Sequence, residues 1–423
     1  MAEVKALRAL RFTPKAGEIA QLACPPYDII SEEERQEYLK TNPCNIIRLE
    51  LPRDGENVYA AAAQLYTQWL EEGILAQDEQ PGLYIYEEEF TALGATHKVK
   101  GLQCRVKLAE FSEGVVLPHE ETLSKAKADR FELMKACGTN FSSIYSLYFD
   151  GDRALRSRID GLSAGQPTQQ WQGQDGVIHR LWCVYDAAVI SEIEGLFADK
   201  KLYIADGHHR YETALNYRRH LAEQGQEIGD ADYILMTLVN MEHEGLVVFP
   251  THRIIRDLPA YRAEDVLSAC AAGFEITKIE GGLEGAQALL DSRYAEGKIA
   301  FVLYDGGYTL LTLTDGEAMA RLAPDHSEAW QGLDVSVLHS LVLERCMGID
   351  KENMANQKNL IYTRDAAEAV AAVDSGSANC CFLLNPTRVE QIAAVAAAGD
   401  KMPQKSTYFY PKIITGAVMN KLR

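Results

Sequence analysis

The chain has 423 residues, more than one hydrophobic core usually serves, so two domains are expected. Its net charge of −19 argues against nucleic acid as a partner, because duplex binding needs a cationic face that displaces counterions. Apolar content of 47% is ordinary for a globular protein, no apolar run reaches the ~18–20 residues of a membrane span, and Met1-Ala-Glu-Val-Lys5 lacks the core of a signal peptide.

The nine cysteines are scattered, without Cys-x-x-Cys spacing, and only Cys380 and Cys381 are adjacent. Zinc ribbons and thioredoxin-like chemistry are therefore unsupported, and reduced thiols in a cytoplasmic protein are the simplest account. Ala6 to Phe12 reads as a first strand. Cys24-Pro-Pro-Tyr-Asp-Ile-Ile-Ser31 is extended, because each proline pushes its predecessor out of the helical region. Ser31 with Glu34 makes a capping box for a helix through Leu39. Asp28, just before that cap, is a candidate site residue whose simplest role is structural.

Ile46 to Leu51 reads as a strand, and Val58 to Leu70 as an amphipathic helix ended by Gly73. Leu83 to Phe90 and His97 to Leu108 flank Gly94 as hairpin strands do. The segment Leu117-Pro-His-Glu-Glu-Thr-Leu-Ser-Lys-Ala-Lys-Ala-Asp-Arg130 is dense in chemistry. His119 and Glu120 suit a general base or a metal contact, and Lys125, Lys127 and Arg130 suit an anionic ligand. The plainer reading is a polar linker into a helix from about Ala126 to Cys137. Phe141 to Tyr148 is strand-like, Gly161 to Gly176 is a loop, and Ile178 to Tyr185 is a strand with Trp182 and Cys183 in the core.

Lys201-Leu-Tyr-Ile-Ala-Asp-Gly-His-His-Arg-Tyr-Glu-Thr-Ala-Leu215 organises the rest. It reads as a buried strand, an Asp206-Gly207 turn and a helix, with Tyr211, Ala214, Leu215 and Leu221 at helical spacing. Asp206, Gly207, His208, His209 and Arg210 thus open a helix, where free amides and the dipole favour an anion. Gly207 permits close approach of a ligand, and the imidazoles and guanidinium add donors suited to phosphate. The competing reading is an N-cap with solvated side chains. His208 and His209 are adjacent, do not face each other, and are a poor pair for one metal ion.

Tyr233 to Val239 and Gly245 to Phe249 are strands, and His252 and Arg253 are further candidates at a strand end. After Asp257-Leu-Pro259, helices and strands alternate, with a clear hairpin at Asp305-Gly-Gly307. An apolar helix is expected from Val335 to Met347. The fold class is α/β (α+β), divided as residues 1–255 and a C-terminal α/β domain of residues 256–423. In the tail, Lys405, Ser406 and Thr407 offer an ammonium and two hydroxyls to a phosphate or carboxylate, and Tyr408, Phe409 and Tyr410 predict packing rather than a loose end.

Asp206-Gly-His-His-Arg210 after a strand resembles the phosphate-binding box of the ParB/sulfiredoxin-like superfamily, and within it the free L-serine kinases. Three features match in the same order. Pro118-His119-Glu120 looks like the segment carrying that family's catalytic glutamate, Asp206 to Arg210 like its nucleotide box, and Pro403-Gln-Lys-Ser-Thr407 like its substrate-side segment. Over its full length the chain also resembles the bacterial domain-of-unknown-function family DUF1015. Sulfiredoxin activity is not implied, because His208 stands where that box needs a cysteine, and residues 1–110 have no counterpart.

The resemblance implies a ParB/sulfiredoxin-like nucleotide-binding core with an N-terminal extension. It implies phosphoryl transfer between ADP or ATP and the hydroxyl of free L-serine, or the reverse from O-phosphoserine, with Mg2+ expected. Glu120, Asp206 and Arg210 would be catalytic. Asp206, Gly207, His208, His209 and Arg210 would bind nucleotide, and His119, Lys405, Ser406 and Thr407 the substrate. The rival is a nucleotide-binding regulatory module of the ParB-like type, which would keep the box and have no need of Glu120.

Overall fold

The computed structural model describes the backbone of residues 1–120 and 124–423, and their side chains except those of 124–126. The Lys125 side chain therefore lies outside the described residues. Contacts divide the chain into two compact units. The first comprises Met1–Pro118, Thr122–Val247 and Pro411–Arg423, and the second His119–Glu121 and Val248–Tyr410.

The first unit is built on a mixed sheet of nine described strands. Its order is Val116–Leu117, Leu202–Asp206, Ile144–Tyr148, Tyr233–Asn240, Ala95–Lys107, Leu83–Ala92, Ile178–Val184, Gln169–Gln172, with Val4–Lys5 added beside the far end of Ala95–Lys107. Leu202–Asp206 runs parallel to Val116–Leu117, and Tyr233–Asn240 parallel to Ile144–Tyr148; the other pairs are antiparallel. Alternation gives the sheet two different faces. Leu83, Ile85, Leu102, Cys104, Ile144, Met236 and Leu238 belong to the apolar core, packed with Ile193 and Phe197 from the helix Ala187–Phe197. The opposite face carries Tyr86, Glu88, Gln103, Tyr145, Thr237 and His179, all buried.

One irregularity matters for the site. The pairing of Leu202–Asp206 with Ile144–Tyr148 shifts register between Ile204 and Asp206. The extra residue sets Asp206 opposite Tyr145, on the polar face, instead of continuing the apolar row of Leu202 and Ile204.

Several expected elements stand where the sequence puts them. Ser31 Oγ accepts from Glu34 N, and Glu34 Oε2 accepts in turn from Ser31 N, starting the helix Glu32–Thr41. The hairpin of Leu83–Ala92 with Ala95–Lys107 is present, and so is the helix Val58–Glu71. The run from Ile46 to Leu51 is not a strand but a short helix, Ile47–Glu50. Buried Asn45 accepts from Ile47 N through Oδ1 at 2.9 Å and so turns the chain into it. Ala6 to Phe12 is not one strand either: Val4–Lys5 joins the large sheet, and Leu10–Phe12 pairs with Leu75–Gln77. Trp182 is buried, while Cys183 is half-buried and accepts from Arg11.

The second unit holds an antiparallel sheet of six described strands. Its order is Phe274–Ile279, Tyr308–Leu313, Ala300–Tyr304, Cys380–Leu384, His252–Ile255, Leu360–Thr363. Helices Gly282–Ala295 and Ala366–Asp374 cover one face through Ala286, Leu290, Ala366 and Ala369. The apolar helix expected from Val335 is Asp334–Met347, with a π-helical middle from Leu338 to Glu344. Among the described residues no helix is long and apolar enough to cross a membrane, and all nine cysteines are free thiols.

Candidate functional site

The predicted strand–turn–helix of the first unit is Leu202–Asp206, Gly207 and His208–Glu223. Gly207 adopts φ +95°, which a side chain disfavours, and a Cβ there would stand 3.0 Å from the Arg210 guanidinium. The cap residue has no side chain to bond the first helical amides. Of the two imidazoles, His208 is buried and His209 half-buried.

Asp206 and Arg210 are joined at 2.6 Å through Oδ2 and Nη2. The other carboxylate oxygen accepts from Lys412 Nζ. Arg210 Nη1 donates to the Ser143 carbonyl. Burial opposes the Arg210 charge, but Asp206, Asp28, Tyr27 and Glu50 outweigh it, and its pKa is held above the ordinary value. Asp206 is therefore a brace between two cations, and Arg210 points two donors inward.

Behind this pair lies a buried polar network. Glu50 is 2% exposed and accepts from Ser142 Oγ at 2.8 Å. Burial pushes its carboxyl up, against Arg130 and Arg210. Arg130 donates to the Glu50 carbonyl at 2.6 Å and lies 4.0 Å from the Tyr27 ring. Lys127 pairs with Glu212 at 2.7 Å. Ser143 Oγ meets Thr237 Oγ1 at 2.8 Å, and Thr237 Oγ1 accepts from Gln103 at 3.2 Å.

Further along the same face, Tyr86 donates to Glu88 at 2.9 Å and meets His179 Nδ1 at 2.7 Å. Burial pushes Glu88 up to about 8 and His179 down to about 4. A neutral imidazole donating to the Tyr86 oxygen, which in turn donates to Glu88, satisfies both contacts.

The second unit holds the other predicted residues. His119 is fully buried, and its Nε2 meets Thr407 Oγ1 at 2.9 Å. Its carbonyl accepts from Met402 N, and Glu120 bridges to Met402. Glu120 Oε2 is buried and has no hydrogen-bond partner among the described residues. Arg253, 1% exposed, donates to His339 Nε2 at 3.2 Å, to the Lys405 carbonyl at 3.1 Å and to the Thr251 carbonyl. Burial lowers its guanidinium to about 10, although Tyr362 and Glu120 raise it. Lys405 is exposed and takes φ +55°, which turns the chain. Ser406 donates to the Pro403 carbonyl and presents its own carbonyl to Thr387. Phe409 is fully buried, so the tail is packed as the aromatic run predicts. His252 accepts from Leu384 N at 3.2 Å and serves the sheet.

Asp206 to Arg210 thus sit together in the first unit, and His119, Glu120 and residues 405–407 belong to the second. Sequence reasoning did not single out Glu50, Ser142, Ser143 or Lys412. An acid inside the apolar run Ile46–Leu51 was the available signal for Glu50.

Among the curated proteins none matches this chain. Solved structures that resemble it do so at low identity. A free serine kinase mutant in complex with ADP has 14% identity and a TM-score of 0.38, covering 74% of this chain and 90% of that one. A conserved hypothetical protein from Pyrococcus furiosus has 14% identity and a TM-score of 0.36, with coverage of 74% and 94%. SbnI with C-terminal truncation from Staphylococcus aureus has 11% identity and a TM-score of 0.35, with coverage of 74% and 86%. Residues 4–336 match the family model described as "Protein of unknown function (DUF1015)", and the chain belongs to that family.

Proposed function

We propose that this protein moves a phosphoryl group between a nucleotide, ADP or ATP, and the hydroxyl of free L-serine, in either direction. The ParB/sulfiredoxin-like character of the core is part of that reading. The observation that carries it is the buried, unpartnered Oε2 of Glu120. A carboxylate oxygen withdrawn from water without a protein donor is costly, and a ligand proton or cation received there would offset that cost.

Phosphoryl transfer depends on positioning and charge. The helix opening at Gly207 binds nucleotide phosphate through its first amides, with His208 and His209 beside them. Asp206 holds Arg210 and Lys412 in place, and their positive charge opposes the charge of the transferred group. Glu120 accepts the proton of the serine hydroxyl, or returns it in the reverse direction. His119 fixes Thr407, and the turn at Lys405 and Ser406 presents an ammonium to the phosphate of the product.

Among the described residues no three His, Cys, Asp or Glu side chains are grouped to hold a metal. Mg2+ commonly takes one or two carboxylates with phosphate oxygens and water, and Glu120, with an oxygen to spare, fits one such contact better than the doubly paired Asp206. When bound, the ion supplies charge neutralisation. The test is incubation of the protein with L-serine or O-phosphoserine against AMP, ADP and ATP with magnesium, reading products by mass. Formation of O-phosphoserine, or of serine with a charged nucleotide, supports the reading; no product in any combination removes it.

A further inference from the structure

The second unit contains a cavity of about 90 Å³ lined by Thr251, Arg253, Asp334, Asn385, Thr387 and Arg388, among others. Two guanidiniums, the Lys298 ammonium and one carboxyl line the same space, and the ammonium is already paired with Glu296 at 2.8 Å. Arg253 is a buried cation whose hydrogen bonds end on two carbonyls and an imidazole nitrogen. Among the described residues no carboxylate is within ion-pair distance of it, and Glu120 acts on it only from further away. A buried charge left so is costly, and an anion in the cavity would offset that cost.

A second, independent feature points to a ligand. Thr251 is 7% exposed, lines the cavity, and its Oγ1 has no hydrogen-bond partner among the described residues. Buried hydroxyls are normally bonded, so this one awaits a partner from the cavity. Arg388 stacks on Tyr294 at 4.1 Å and donates to the Tyr294 carbonyl, which holds the guanidinium at the wall and covers the ring. The covered ring leaves little aromatic surface for a nucleobase.

Asp334 decides between an anion and a zwitterion. It stands at the start of the helix Asp334–Met347, where Arg388 acts on it electrostatically. Burial pushes its carboxyl up to about 7, as for an acid lacking a full counter-charge. A plain anion would be repelled by Asp334 in its ionised form. A molecule with both a carboxylate and an ammonium satisfies all three groups.

We propose that this cavity is an α-amino-acid site: Arg253 and Arg388 take the carboxylate, Asp334 the ammonium, and Thr251 Oγ1 a hydrogen bond to the ligand. The proposal deepens the phosphotransfer reading, and it rests on that reading for the choice of serine as the first probe. Ser406, in the predicted substrate segment, also lines the cavity.

The test is calorimetric titration of the full chain at neutral pH with L-serine, L-serine methyl ester and 3-hydroxypropionate, and with the other proteinogenic amino acids. The ester lacks the carboxylate and 3-hydroxypropionate the ammonium. We expect both to bind at least tenfold more weakly than L-serine. Asp334→Asn should abolish the preference for L-serine over 3-hydroxypropionate, and Arg388→Gln the preference for L-serine over the ester. Equal binding of 3-hydroxypropionate and L-serine to the unaltered protein would overturn the site, as would binding of no amino acid. Product formation measured in parallel separates the two claims. Amino-acid binding with this pattern and no transfer leaves the site and removes the kinase. Transfer with preferences unmoved in both variants removes the site alone.

Discussion

Asp206 and Arg210 form a 2.6 Å ion pair across the turn from strand to helix, and the second oxygen of that carboxylate is held by Lys412. A residue from the last thirteen thus completes a site begun two hundred residues earlier, within one unit.

Arg210 is buried and Asp206 only slightly exposed, with side-chain exposures of 9% and 13%, so breaking the pair should be costly. Arg210→Ala leaves the Ser143 carbonyl and one Asp206 oxygen without their donor. A stability loss of about 3 kcal/mol is expected, at the low end for a broken buried pair because Lys412 still faces Asp206. Urea unfolding measures it. A loss below about 0.5 kcal/mol would mean the pair is solvated.

Gly207→Ala tests the turn itself. The left-handed backbone costs a side chain about 1–2 kcal/mol, and the new Cβ crowds the Arg210 guanidinium at 3.0 Å. The melting temperature should fall and nucleotide affinity with it, read by calorimetry and titration of the same preparation. Unchanged nucleotide affinity in a destabilised variant would take the turn out of the phosphate site.

How much of this was readable beforehand follows from where each signal sits. The capping box at Ser31, the hairpin around Gly94 and the strand–turn–helix at Gly207 are local, and each carries its own turn or cap chemistry. The Ile46–Leu51 run carries none that separates strand from helix; the buried side chain of Asn45 decides it. Short apolar runs are ambiguous for this reason. The helix Ala154–Leu162 lacks a side-chain cap in the same way, whereas Ala187–Phe197 does carry one, Asp186, which accepts from Ala188 N and Val189 N. Lys412 and Glu50 are invisible to spacing, because tertiary contacts far along the chain bring them to Asp206 and Arg130. The bulge before Asp206 reverses which face that residue occupies, and alternation counted along the sequence misses it.

The Glu88 carboxyl gives a pH prediction. Its folded value of about 8 lies above the ordinary 4.5, so the folded protein binds that proton more tightly and stability falls as pH rises toward 8. His179, lowered to about 4, acts in the opposite sense below its ordinary 6.5. The clean window is therefore pH 6.5 to 8. Across it the wild type should lose about 2 kcal/mol relative to Glu88→Gln, at about 1.4 kcal/mol per pH unit. Parallel denaturant titrations at the two pH values check it; equal slopes with pH would place Glu88 in contact with water.

The central claim is that Glu120 takes the proton of the substrate hydroxyl. The direct measurement compares wild type and Glu120→Gln for phosphoryl transfer and for nucleotide affinity. Transfer should drop by about 10²–10⁴-fold, with nucleotide affinity changed less than about twofold, well under 1 kcal/mol. Equal transfer by both proteins, or a wild type that binds nucleotide and transfers nothing, would contradict it.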